Sequence, residues 1–487
     1  MAPTIVLNKL QPLNLLTINL KPIITDIRFW IVLFFVIRLI GITNPPLEIS
    51  HNWRQTTVTM VARNFLEVDN NILYPRVDFA GEKTGITGME FPIFNYLIYL
   101  VAEVVGYSHW YGRLINLVFS SFGLWFFYLL IKKHVEGKLA FNATVVLLVS
   151  PWYSFSRKIM PDTFSMSFII SSVYFGSNYL TQKGKLKNGW NLLLYALFLG
   201  VGALAKLPSA YLLIVFSILF FNKKIPISKK LFFSMASIIA IIPIAFWYFY
   251  WFPHLVSTYD FWHFSMGRSF TQGASEILEK FPLALEQFYN NALKYIGFIV
   301  FLMGLIYSII KQQKLLLSIL GLSCFGFGIV ILKAGYVFTN HNYYMIPFVP
   351  VMALIASYGL AQIKNKNIAI VVLVFIGLEG ILNQQHDVKL HPKAMALLQL
   401  EEDLNQVSNT SDLITINSDE TPTPMYFAHR KGWLDYNAKL KDENHIKKLK
   451  RKGLKLIVIL KQKFGTNLTL NYPVVLDNEN YRIYKVN

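Results

Sequence analysis

The chain is poor in charge and almost free of cysteine. Of its 487 residues, 15% are Asp, Glu, Lys or Arg, and the single cysteine, Cys324, sits inside an apolar run. One thiol excludes a disulfide framework and a thiolate metal site, and it leaves the redox compartment unread. The sequence also lacks an H-E-x-x-H pair, a P-loop and a G-x-G-x-x-G turn, so it encodes neither a zinc-protease site nor a soluble-nucleotide site. It has no low-complexity stretch, no repeat at a solenoid period, and no matching pair of broken segments of the kind that marks the two halves of many transporters.

Apolar sequence is what the chain has in abundance. Hydrophobic residues make up 54% and aromatic residues 15%, with a mean hydropathy of +0.42. A soluble core cannot hide that much apolar surface, so lipid is part of the solvent. Apolar runs near 25–43, 110–131, 139–155, 163–180, 190–205, 207–222, 231–251, 294–310, 315–333, 345–363 and 367–383 predict an α-helical polytopic protein of about eleven spans. No small-residue cleavage site follows the first run, which therefore reads as a retained span.

The segment 91–106 is apolar but short, begins beside Pro92 and carries Glu103. Loop charge decides its reading. If it lies along the surface, then Lys132, Lys133 and Lys138, Lys183, Lys185 and Lys187, Lys223, Lys224, Lys229 and Lys230, Lys311 and Lys314, and Lys364 and Lys366 all share the N-terminal side. That is the positive-inside pattern, and counting 91–106 as a span reverses it. The predicted topology is N-terminus in, C-terminus out, in the inner cell membrane. The same placement explains the net charge of +19: the lysines write topology, and no nucleic acid partner is expected.

Residues 1–383 then form a transmembrane domain with outer loops at 44–109 and 252–293, and 384–487 form a small α/β domain on the periplasmic side. Alternating apolar residues in DLITINS and LKLIVIL, a basic helical stretch from His445 to Lys452 and a closing YRIYKV carry that last assignment. Val58, Val61, Ala62 and Phe65 follow helical spacing after Trp53, which predicts an interfacial amphipathic helix in the first outer loop.

Charged and polar residues gather at the outer ends of these segments: His51, Arg54 and Gln55; Arg76, Asp78, Glu82, Lys83 and Glu90; Arg157, Lys158 and Asp162; Lys206; Lys333; and His341, Tyr343 and Tyr344. Taken singly, most read as solvated loop charges, and Asp162 reads equally well as part of a helix start. Outward cations run against the topology rule, and a cluster of them suits an anionic lipid head such as a phosphate. Lys206 joins two apolar runs through almost no loop, so it points into the bundle or its mouth.

The motifs HNWRQTTVTMVARNF, LYPRVD, GMEFPIFNYL, WYGRLINLVFS, SRKIMPDT, LAKLP, HNYYMIPFVP and MYFAHRKGW, in this order and placement, resemble the C superfamily of bacterial membrane glycosyltransferases. The chain is similar to the protein O-mannosyltransferase and lipid A aminoarabinose transferase types. The resemblance implies inverting transfer of a sugar from a polyprenyl-phosphate carrier to a lipid, glycan or protein acceptor of the cell envelope, on the outer face. By resemblance a carboxylate of the first loop is the base. His51, Arg54, Arg157, Asp162, Lys206 and His341 serve the donor and its phosphate, and Tyr343 and Tyr344 line the carrier or sugar pocket.

One departure stands out. Relatives place an Asp near the WRQ motif, where this chain has Asn52 and Thr56-Thr57. Glu90 is the first substitute, Glu48 the second and Asp78 the third, and an acceptor that is already anionic needs no base. No cofactor is expected and no metal ligands are assigned, with a divalent ion left open. The alternatives are a transporter or flippase of lipid-linked sugars and a non-catalytic relative in envelope assembly.

Overall fold

The computed structural model describes residues 21–135, 137–182, 185–262, 267–461 and 468–486. Lys183, one of the loop lysines used above, lies outside the described residues, as does the chain before residue 21. Each apolar run becomes helical. Among the described residues four helices are long and apolar enough to cross a membrane: Tyr111–His134, Asn188–Ala205, Ile227–Tyr259 and Lys314–Ala334. Phe281–Tyr289 and Lys294–Ile310 form a pair bent by 87° that would make a fifth. Ile93–Val105, Gly137–Val149, Leu207–Phe220 and Val349–Gln362 are apolar but shorter. The protein is a multi-pass membrane protein, and the segment refused as a span is a helix of 13 residues, about 20 Å at 1.5 Å per residue.

Surface and interior divide as they do in lipid. Ile238, Ile242 and Phe249 present their side chains outward on the Ile227–Tyr259 helix, whereas Pro161–Thr181 is buried on nearly every side and packs against Tyr111–His134 and Lys185–Ala205. Small residues bring helices together. A Cβ on Gly304 would come within 2.0 Å of the Ile355 carbonyl, and one on Gly359 within 2.4 Å of the Val300 carbonyl, so Lys294–Ile310 and Val349–Gln362 meet backbone to backbone. Pro243 lies inside the helix Ile227–Ala245, and the next six residues, Phe246–Trp251, wind as a π-helix. A proline removes a ladder hydrogen bond, and the wider turn re-aims the side chains that follow.

The C-terminal region carries a five-stranded sheet: β1 (Leu413–Ile416), β2 (Gly432–Leu434), β3 (Leu454–Leu460), β4 (Val474–Asp477) and β5 (Tyr481–Lys485), in the order β2-β1-β3-β5-β4. β1 runs parallel to β2 and β3, while β5 is antiparallel to β3 and β4. The basic stretch is the helix Glu443–Arg451, with Ile446 and Leu449 buried and its lysines outside.

The helix Asn52–Glu67 differs from the interfacial helix expected there. Residues 54–65 are all buried, polar and apolar alike. The C-terminal region covers what would have been its wet face: Thr56 Oγ1 meets Thr423 Oγ1 at 3.1 Å, and Arg63 donates to the Tyr426 carbonyl at 3.0 Å. Amphipathic spacing assumes water or headgroups on the polar side, and here a second layer of protein takes that place.

Candidate functional site

Helix ends and breaks place the charged residues. His51 turns into the helix with a left-handed φ of 64°, and Arg54 sits in the first turn after it. Asp162 lies in the first turn of Pro161–Thr181, where the helix dipole favours an anion. Lys206 is the extended residue between Ala205 and the 3₁₀ segment Leu207–Val215. Ser165 Oγ, bonded to the carbonyls of Gly202 and Lys206, holds that break. Glu90 is clamped on both flanks by the π-helix: Trp247 Nε1 donates to the Met89 carbonyl at 3.0 Å, and the Trp247 ring meets Phe91 at 4.9 Å.

These residues converge. Arg54 donates to Glu90 at 2.6 Å, Lys206 is ion-paired to Asp162, and the Lys206 ammonium lies 4.9 Å from the centre of the Tyr343 ring and 5.6 Å from that of Tyr344. His341 stacks on Tyr343 at 5.1 Å, and His51 packs against Tyr343 while bonding Asn342 at 3.0 Å. Burial opposes ionisation of Glu90, but the charges of Arg54 and Lys206 outweigh it and hold the carboxyl below its ordinary value. Glu90 is therefore an anion at neutral pH. Burial, with Lys158 nearby, pushes His51 down to about 3, and burial with Lys206 and Arg54 lowers His341. Both imidazoles are neutral at neutral pH.

Capacity is left over in this group. Among the described residues Glu90 Oε2 and Asp162 Oδ2 are buried without a hydrogen-bond partner, and an ammonium has three donors where Lys206 uses one on Asp162.

Three of the expected site residues go elsewhere. Glu48 is buried against Arg113 and accepts from Gln55 at 2.9 Å. Arg157 is consumed by backbone, donating to the carbonyls of Ile40 at 3.0 Å, Gly41 at 2.9 Å and Asp387 at 3.3 Å. Asp78 pairs with Arg63 at 3.0 Å and Asn64 at 2.7 Å beneath the C-terminal region. Lys158 is buried and paired to Asp387 at 2.9 Å, while Lys333 stays exposed. The N-cap position of that helix is Met160, and Asp162, two residues on, accepts from Lys206. Among the described residues no group of three His, Cys, Asp or Glu side chains is placed to hold a metal ion.

Two groups were missed from sequence. One joins Tyr107, His109 and Tyr426 by their polar tips, with Arg63 over the Tyr426 ring at 4.6 Å. The other is a polar cavity beside the cations, to which the second outer loop contributes Glu286, Gln287 and Asn291. The only signal for the latter was the amide-rich EQFYNN run.

The fold has counterparts among solved structures. The family profile described as dolichyl-phosphate-mannose-protein mannosyltransferase matches residues 90–250. The crystal structure of ArnT from Cupriavidus metallidurans superposes with a TM-score of 0.60 at 11% identity, covering 94% of this chain and 98% of that one. The fold is that of the C-superfamily membrane glycosyltransferases. A second ArnT structure, bound to undecaprenyl phosphate, matches with a TM-score of 0.57 at 10% identity over the same shares. The oligosaccharyltransferase AglB from Archaeoglobus fulgidus, in complex with an inhibitory peptide and a dolichol-phosphate, matches with a TM-score of 0.55 at 10% identity, covering 90% of this chain and 70% of that one. The mycobacterial arabinofuranosyltransferase AftD gives 0.56 at 10% identity, with 94% and 40% covered. No curated protein sequence matches the chain. Arg54, Glu90, Lys206 and Asp162 lie in the segments whose motifs carried the resemblance.

Proposed function

We propose that the protein transfers a sugar from a polyprenyl-phosphate carrier, with inversion, to an acceptor of the cell envelope on the outer face of the inner membrane. The observation that carries this reading is the buried group Arg54, Glu90, Lys206 and Asp162, in which a cation with spare donors faces a carboxylate with a spare oxygen. Lys206, seated on Tyr343 and Tyr344, holds the departing phosphate. Asp162, ion-paired to the ammonium, aims it, and Arg54 steadies Glu90 as an anion. Glu90 takes the proton from the acceptor hydroxyl as its oxygen attacks the anomeric carbon. The bond from that carbon to the phosphate oxygen breaks on the opposite face, and the electron pair leaves on the carrier phosphate. A single displacement inverts the anomeric centre. The bound carriers of ArnT and AglB support the donor class.

The test follows sugar transfer from a polyprenyl-phosphate hexose to envelope lipid, glycan and protein in membranes holding the wild type, Glu90→Gln or Lys206→Ala. Loss of transfer in both variants is expected. Transfer unaffected by either change overturns the site, and absence of transfer to any acceptor, with carrier moved across the membrane instead, overturns the reaction.

A further inference from the structure

A cavity of about 450 Å³ opens beside the cation group, within the range of small-ligand sites, about 300–1,000 Å³. Three segments build it: the turn into the loop-one helix, the end of the helix Phe281–Tyr289, and the turn at 339–342. Hydrogen bonds between them fix its wall. Gln287 Nε2 donates to the Thr339 carbonyl at 3.0 Å, Asn291 Nδ2 to Gln287 Oε1 at 3.1 Å, and His51 Nε2 meets Asn342 Oδ1 at 3.0 Å. The cavity shares His341 with the cation group, since His341 stacks on the Tyr343 ring that carries Lys206.

The lining selects by charge. Amides of Gln287, Asn291, Asn340 and Asn342 offer donors and acceptors side by side, as adjacent hydroxyls require, and Trp53 and His341 offer ring faces. Neither Arg nor Lys lines it, and its one carboxylate, Glu286, opposes the field that Lys206 and Arg54 cast from the adjoining group, so neither sign of charge is favoured. An ammonium fares no better: burial and the field of Lys206 and Arg54 already hold His341 neutral, and the same field opposes a second cation.

We propose that this cavity binds an uncharged, hydroxyl-rich sugar ring next to the phosphate held by Lys206, with Asn291, Asn340 and Glu286 as its specificity-determining residues. The proposal deepens, and rests on, the transfer reading. The ring belongs to the donor or to a glycan acceptor, and the chemistry of recognition is shared.

The full chain in nanodiscs tests it with five probes: polyprenyl-phosphate hexose, the corresponding hexuronic acid, the corresponding amino sugar with a free amine, bare polyprenyl phosphate, and a methyl hexoside. A neutral sugar, on the carrier or as the hexoside, is expected to bind about tenfold tighter than its charged counterparts. Asn340→Leu is expected to abolish that preference without changing affinity for bare carrier, which also reports that the variant is folded. Preference on the carrier assigns the donor ring, and preference for the hexoside alone assigns the acceptor ring; each upholds the site. Charged sugars binding as well as neutral ones, or preference intact in both Asn340→Leu and Glu286→Lys, overturns it. Failure of bare carrier to bind the wild type overturns the transfer reading instead, because the hexoside arm needs no carrier.

Discussion

Arg54 and Gln55 are neighbours in sequence and enter two different polar clusters. Arg54 joins Glu90 in the group with Lys206 and Asp162, where two carboxylate oxygens lack partners. Gln55 joins Glu48 and Arg113 and also accepts from the Ile159 amide at 3.1 Å. In that second cluster Arg113 reaches the carbonyls of Ile42 and Asn44 as well as Glu48, and Arg157 reaches Ile40 and Gly41. Both clusters are charged and buried, so burial does not tell them apart. What separates them is the kind of atom left over: carboxylate oxygens beside an ammonium with spare donors in the first, and the guanidinium Nε of Arg113 and of Arg157 in the second, where backbone carbonyls and Glu48 hold the outer nitrogens.

That contrast breaks most visibly at Arg113. Arg113→Met leaves Glu48 buried without its counter-charge, and a loss of about 3–5 kcal/mol in stability is expected, read from thermal unfolding of the purified protein. Transfer per folded molecule is expected to persist; its disappearance without a stability loss would exchange the roles of the two clusters. Lys206→Ala comes next. It is expected to lower transfer by roughly 10²–10³ per folded molecule, as removal of a donor to developing charge does, together with a lower unfolding temperature, because Asp162 is left buried without its counter-charge. Glu90→Gln should match it for a hydroxyl acceptor and have little effect for a phosphate acceptor, and the wild-type acid limb should fall below the ordinary carboxylate range because Glu90 is held low.

A third charged group sharpens the comparison through pH. His429 bonds Glu401 at 2.6 Å and Glu67 at 2.8 Å, and these bonds, against burial, raise it to about 9 from 6.5. A raised histidine stabilises fully below its unfolded value, and the gain fades as pH rises through about 9. Glu401, lowered by the same bond from 4.5, loses its share as pH falls through its own lowered value. The difference in stability between wild type and His429→Gln should therefore be largest between the unfolded values of 4.5 and 6.5, on the order of 1 kcal/mol after solvent screening, and shrink by pH 10. Smallest of all is Lys452→Ala, which removes an exposed pair with Glu82; a change under about 1 kcal/mol and unaltered transfer are expected.

The helices were legible because lipid demands long apolar runs. The partners of the charges were not. Lys206 and Asp162 stand 44 residues apart, and Arg54 and Glu90 stand 36 apart, separations that no helical or strand period encodes. Placing Glu90 ahead of Glu48 and Asp78 came from resemblance to one motif, and all three carboxylates have an arginine partner that the sequence did not indicate. The loop-one helix was misread for a related reason. Its spacing described which face is apolar, whereas its burial depends on Thr423, Tyr426 and their neighbours, more than 350 residues later.

That late contact bears on how such proteins diversify. The sheet region is not a cassette. Gly81 and Gly432 exchange backbone with Asp78 and each other, since Gly432 N bonds the Asp78 carbonyl and Gly81 N bonds the Gly432 carbonyl, and a Cβ on Gly81 would meet Trp433 at 2.3 Å. A chimera that grafts another relative's tail onto this bundle would meet the wrong surface on the loop-one helix, and the loop and the tail must be inherited together.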